Sequence, residues 1–175
     1  MSILRFLGIE SKPTASADTQ TVRRIVASLD AMDPERARWI AAFAFLLCRV
    51  ARSELVISAE ESAAMERIIR EKGGLTEEQA VLVLQIAKTQ EALFGGTENF
   101  LVTREFNKIA THEQKSGLLD CLFAVSAADE SISTTEDNEI GRICAELQLP
   151  REELVEARGR YREYLAVLKA TNTSR

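Results

Sequence analysis

The strongest constraint on this chain is that one pattern occurs in it twice. Residues 50–61 read Val-Ala-Arg-Ser-Glu-Leu-Val-Ile-Ser-Ala-Glu-Glu, and residues 125–136 read Val-Ser-Ala-Ala-Asp-Glu-Ser-Ile-Ser-Thr-Thr-Glu. In each copy an apolar run ends at an acid, a short polar turn leads to Ile-Ser, and a Glu opens the next helical pattern. Glu54 and Asp129, Ile57 and Ile132, and Glu61 and Glu136 are all related by the same offset of 75 residues. Repeat units of solenoids run to about 50 residues, so this longer period predicts two related halves of one domain. A chain of 175 residues is long enough to bury roughly 70% of its unfolded surface in a single core.

Apolar positions recur at helical spacing throughout, and no alternating strand pattern of useful length is present. Val22, Ile25, Val26 and Leu29 mark a first helix. Asp33-Pro34-Glu35 predicts its end and the start of a second, with Asp33 as N-cap and Pro34 at the first helical position. Four further starts carry capping boxes: Ser58 with Glu61, Thr76 with Gln79, Thr111 with Gln114, and Ser133 with Glu136. In each, the hydroxyl accepts from the third helical N–H while the Glu or Gln reaches back to the cap. Gly73-Gly74 and Gly95-Gly96 read as helix ends. Leu149-Pro150 introduces a last helix that runs through Tyr161 and Leu168. The expected fold is an all-α bundle of seven to eight helices in two pseudo-repeated halves. Its expected limits are a flexible segment over residues 1–18, the helical domain over 19–170 and a disordered tail over 171–175.

Charge and composition exclude several classes of function. A net charge of −5 and the lack of a basic stripe disfavour nucleic acid as a partner. The longest apolar run, Trp39 to Cys48, is about half of the ~20 residues a membrane span needs, so it reads as a buried helix. Met1 to Glu10 carries Ile3, Leu4, Phe6, Leu7 and Ile9 without a cleavage site, and no secretory leader is expected. Cys48, Cys121 and Cys144 fall on apolar helix faces and read as buried hydrophobes. The single histidine, His112, sits in the first turn of a helix, and no nucleophile or zinc-site spacing accompanies it. Enzymatic activity is therefore not expected. The acids of Glu77-Glu78 and Glu152-Glu153 suit the positive ends of helix dipoles. Arg158, Arg160 and Arg162 read as a solvated face.

Aligned on Ile132, the second turn matches only the latter half of an EF-hand loop. Val125 and Ala127 stand where the first ligands belong, and Glu130 stands where the loop needs Gly, so neither turn is an EF-hand. The combination of Ala-Ala-Asp, a turn with Ile-Ser, a Glu opening a helix, and a later Leu-Pro-Arg-Glu-Glu resembles the TerB family of bacterial tellurite-resistance proteins. The likeness runs from about Val22 to Leu168. The usual family form of the motif is Ala-Asp-Gly-x-Ile-x-x-x-Glu, present once in each half of the family's domain. The resemblance implies two helical bundles about a pseudo-twofold axis, with the motif acids converging on calcium or another divalent cation. Carried over to this chain, those ligands are Glu54, Glu61, Asp129 and Glu136. It further implies a non-enzymatic cytoplasmic component of a tellurite-resistance or stress-response system. Such a component would act through protein partners, in a membrane-associated complex peripheral to the inner membrane face.

The chain departs from the motif at named positions. Glu54 stands in place of Asp, Leu55 and Glu130 in place of Gly, and Ser53 in place of Ala. Glycine is the residue that most easily takes φ > 0 in a tight turn, so the departures bear on turn geometry and weaken the first half-site most. A second reading stays open, in which Glu61 and Glu136 only cap helices and Ile57 and Ile132 staple them. The protein is then a metal-free helical module that contacts proteins or a membrane, with its first ten residues as the docking element.

Overall fold

The computed structural model describes residues 17–50, 59–89 and 99–168. Among them are eight α-helices: α1 (Ala17–Asp30), α2 (Pro34–Val50), α3 (Ala59–Gly73), α4 (Glu77–Lys88), α5 (Asn99–Ile109), α6 (His112–Ser126), α7 (Thr134–Glu146) and α8 (Arg151–Arg160). Two short 3-10 helices follow α6 and α8, at Ala127–Asp129 and Arg162–Tyr164. No strand occurs among the described residues; one isolated parallel bridge joins Ile132 to Leu165. The all-α expectation holds. The first acidic turn with Glu54, Ile57 and Ser58, the Gly95-Gly96 pair, the first ten residues and the tail over 171–175 lie outside the described residues.

Helix α2 is the centre of the bundle. Every residue from Trp39 to Val50 is buried, as befits a helix that is apolar on all sides. It packs against α1, α4, α5, α6 and α7, while α3 packs on α4 and α6. Phe43, Leu46 and Leu47 of α2 meet Ile69, Phe106, Leu118, Leu122 and Phe123 in one continuous core. Trp39 sits tilted on Phe43 at a centroid distance of 4.9 Å, and the Arg36 guanidinium lies 4.6 Å over its ring. No helix of the described residues is long and apolar enough to cross a membrane.

Local chemistry sets the helix boundaries largely as the sequence predicts. Asp33 Oδ1 accepts from the N–H groups of Glu35 and Arg36, and Pro34 opens α2. The boxes at Thr76/Gln79, Thr111/Gln114 and Ser133/Glu136 each form both of their hydrogen bonds. Helix α3 ends with Gly74 at φ 63°, and Leu75 N–H donates to the Arg70 carbonyl. Helix α7 ends in the same way without a glycine: Gln148 takes φ 58°, and Leu149 N–H donates to the Cys144 carbonyl. Both ends are Schellman motifs, which satisfy carbonyls that the helix leaves open. A side chain at Gly117 would place Cβ 3.1 Å from the Lys72 carbonyl oxygen, so glycine here lets α6 close against the end of α3.

The last helix departs from expectation. It does not run through Tyr161 to Leu168; α8 stops at Arg160, and Leu165 is extended. The cause is tertiary. Ile132 leaves a turn with its N–H and carbonyl unpaired, and buried backbone groups must find partners. Residues 164–166 supply both.

Candidate functional site

The second acidic turn is built outward from the end of α6. After Ser126 the chain tightens into the 3-10 turn Ala127–Asp129, closed by the Glu130 N–H donating to the Ala127 carbonyl at 2.9 Å. Glu130 then takes φ 59°, ψ 9°, the left-handed region. The turn therefore has the conformation that a glycine adopts without cost, although glutamate occupies it. Ile132, 1% exposed, buries its side chain and bonds through both backbone groups to the C-terminal segment. Ser133 caps α7, its hydroxyl accepting from the Glu136 N–H while Glu136 Oε2 accepts from the Ser133 N–H at 2.8 Å.

Of the four carboxylates expected to hold a cation, Glu136 is the one whose side chain the structure describes. Glu61 lies in the first turn of α3 and Asp129 ends the 3-10 turn, but their side chains, like the whole of Glu54, lie outside the described residues. Among the described residues no group of three or more His, Cys, Asp or Glu side chains could hold a metal ion. The available donors are nonetheless of the right kind. A carboxylate that caps through one oxygen keeps lone pairs on the other, and the buried Ser126 Oγ, at the entry to the turn, has no hydrogen-bond partner. An all-oxygen set of this type suits a hard cation such as calcium or magnesium rather than a soft one.

The structure's most tightly organised charged group lies elsewhere. Arg49, with a side chain 4% exposed, lies in the buried face of α2. Its Nε and one terminal nitrogen donate to Glu139 Oε1 at 3.0 and 2.7 Å. Both terminal nitrogens donate to Glu146, at 2.7 and 3.2 Å, and Nη1 also donates to Thr103 Oγ1 at 2.7 Å. One guanidinium thus ties α2 to α5 and α7. Burial acts against its charge, but hydrogen bonds and charge from Glu146 and Glu139 outweigh it and raise its pKa above the ordinary value. In the sequence Arg49 stands just beyond the apolar run of Trp39 to Cys48, and that position alone assigns it no role. The available signals were a charge amid uninterrupted buried positions and two glutamates seven residues apart, hence on one helix face.

Two smaller polar nodes hold α8 in place. Asp120 of α6 accepts from Arg160 at 3.0 Å and pairs with Lys72 of α3 at 2.9 Å, while Tyr161 stacks on Phe123. Burial raises the pKa of Asp120, but the hydrogen bonds from Lys72 and Arg160 outweigh it, so the net direction is down. Glu153, in the first turn of α8, accepts from Ser116 Oγ and pairs with His112 Nε2 at 2.9 Å. The His112 side chain is 68% exposed, in the first turn of α6. Arg158 pairs with Asp137 and Arg160 with Asp120 and Glu156, so these arginines brace helices as well as facing solvent. Cys48, Cys121 and Cys144 are buried free thiols; burial pushes the Cys48 thiol up to about 12, away from reactivity.

Comparison with known proteins places these features in a family. The family model described as tellurite resistance protein TerB matches residues 39–159, which takes in most of α2 through nearly all of α8. No curated protein and no solved structure matches the chain significantly.

Proposed function

The chain belongs to the TerB family of tellurite resistance proteins, and from that premise we propose that it is a non-enzymatic component of a tellurite-resistance or stress-response system. It works through contacts with protein partners, and its paired acidic turns bind a divalent cation. Glu54, Glu61, Asp129 and Glu136 are the residues that would hold the cation, and its charge would offset the repulsion among them. The observation that carries this reading is the left-handed Glu130. Glu130 stands at the glycine position of the Ala-Asp-Gly motif and takes the left-handed conformation that glycine adopts most easily, at a cost of about 1 kcal/mol in local strain. Capping α7 does not call for this strain, since the box of Ser133 and Glu136 begins three residues later.

The absence of an enzymatic role is part of the same reading. Two conspicuous charged nodes, at Arg49 and Asp120, brace helices, and the thiols are buried.

Thermal unfolding with and without calcium tests the cation reading. A ligand that binds only the folded chain stabilises it by about 2.7 kcal/mol at 100 times its dissociation constant. A rise in melting temperature with millimolar calcium, magnesium or manganese is expected. If none of the three produces a rise, the cation reading fails, and the metal-free interaction module takes its place.

A further inference from the structure

The second acidic turn is joined to the C-terminal segment through the backbone. The Ile132 N–H donates to the Tyr164 carbonyl at 2.6 Å, and the Ile132 carbonyl accepts from the Ala166 N–H at 2.9 Å. Ile132 lies between the left-handed Glu130 and the Ser133 cap, so both sides of the turn are referenced to it. The segment leaves helical geometry to make this contact, with Leu165 at φ −68°, ψ 116°. Ile132 and Leu165 bury their side chains together with the core, at 1% and 4% exposure. Tyr164 faces acids on both elements: the charge of Glu163 first, and that of Glu130 more weakly, raise the pKa of its hydroxyl. Two residues past the bridge, Val167 is 50% exposed, a large apolar side chain offered to solvent.

We propose that the segment over residues 161–168 is the output element of the second acidic turn, so that cation binding at the turn is transmitted through the two Ile132 hydrogen bonds to the segment and its exposed valine. This inference rests on the cation reading given above. Asp129 and Glu136 flank Ile132 in sequence, so a backbone shift of the turn on binding would reach Tyr164 and Ala166 through its two hydrogen bonds. Linkage makes the effect mutual: whatever factor the docked segment contributes to cation affinity, the cation contributes to docking of the segment. Ala166→Pro cuts the connection at one atom. Leu165 is already extended, as a residue before proline prefers, and Ala166 begins a helical turn where proline is tolerated. The substitution deletes the donor to Ile132 and sets the proline Cδ against the Ile132 carbonyl oxygen, so the segment is pushed off the turn at this contact.

The test is a calcium chloride titration of the full chain, labelled with nitrogen-15 and followed by amide shifts. The amides of Glu130 to Ser133 and of Leu165 to Leu168 are expected to move along one isotherm with a common dissociation constant. Ala166→Pro is expected to weaken calcium binding at least about fivefold, the factor that one net backbone hydrogen bond carries. Shifts confined to the turn, or unchanged affinity in folded Ala166→Pro, overturn the coupling and leave the cation site standing. No shift anywhere overturns the cation reading and the coupling with it. If Ala166→Pro does not fold, the wild-type isotherms decide the matter alone.

Discussion

The guanidinium of Arg49 and the carboxylate of Glu146 meet at 2.7 Å across 97 residues of sequence. With Glu139 and Thr103 they form a buried node in which the guanidinium donates to three side chains. A buried ion pair contributes little net stability against an apolar substitute, but removing one partner strands the other charges.

Arg49→Ala is therefore expected to destabilise the chain by about 3–5 kcal/mol, a large part of the roughly 5–15 kcal/mol typical of a domain. Arg49→Lys keeps the charge but cannot reach two carboxylates and Thr103 together, and should fall between. Urea unfolding midpoints measure both. A loss below about 1 kcal/mol for Arg49→Ala would place the node among solvated surface pairs.

Acid should loosen the bundle through its depressed carboxyls. Glu146 and Asp120 have pKa values below their ordinary 4.5 and 3.8. Burial pushes both up; hydrogen bonds from Arg49 and Thr103 outweigh it at Glu146, and those from Lys72 and Arg160 do so at Asp120. The unfolded chain then binds more protons as pH falls. The stability these groups contribute is complete above their ordinary pKa values and is lost as pH drops through the lower folded values. Chemical unfolding at a series of pH values should show the loss beginning below about pH 4.5. Glu146→Gln should be less stable at neutral pH, with a shallower decline in acid.

Much of the fold is legible in the sequence because helix boundaries are chemically local. Asp33-Pro34 and the boxes at Thr76, Thr111 and Ser133 need only neighbours within three residues. The burial of α2 follows from its unbroken apolar run. What is not legible depends on distant partners. The role of Arg49 is set by Glu139 and Glu146, 90 and 97 residues away. The end of α8 is set by backbone groups at Ile132, which no residue of α8 itself announces. At the candidate site, the capping role of Glu136 is readable from Ser-x-x-Glu. The left-handed Glu130 is visible in the family pattern only as a missing glycine.

Left-handed positions offer a clean stability test. Glu130 and Gln148 hold φ 59° and 58° without being glycine, whereas Gly74 holds φ 63° with no atom near its missing Cβ. Glu130→Gly and Gln148→Gly should each raise stability by up to about 1 kcal/mol, as relief of backbone strain exceeds the entropy that glycine adds to the unfolded chain. Gly74→Ala should lower it by about 1 kcal/mol through the backbone alone. Differential scanning calorimetry resolves shifts of this size. Destabilisation by Glu130→Gly would mean that the Glu130 side chain holds the turn together.

Calorimetric titration of calcium into the wild-type chain and into Asp129→Asn tests the cation site most directly. Wild type is expected to give a saturable heat of weak binding, since Glu54 and Leu55 depart from the motif in the first half. Asp129→Asn should give none, while its metal-free form is as stable as wild type or more so, because one like charge has been removed from the acids. Glu136→Gln is a poorer probe, since glutamine still completes the capping box. Saturable binding lost in Asp129→Asn is the predicted result. A wild-type chain that gives no heat with millimolar calcium, magnesium or manganese would contradict it, leaving Glu136 as a helix cap alone.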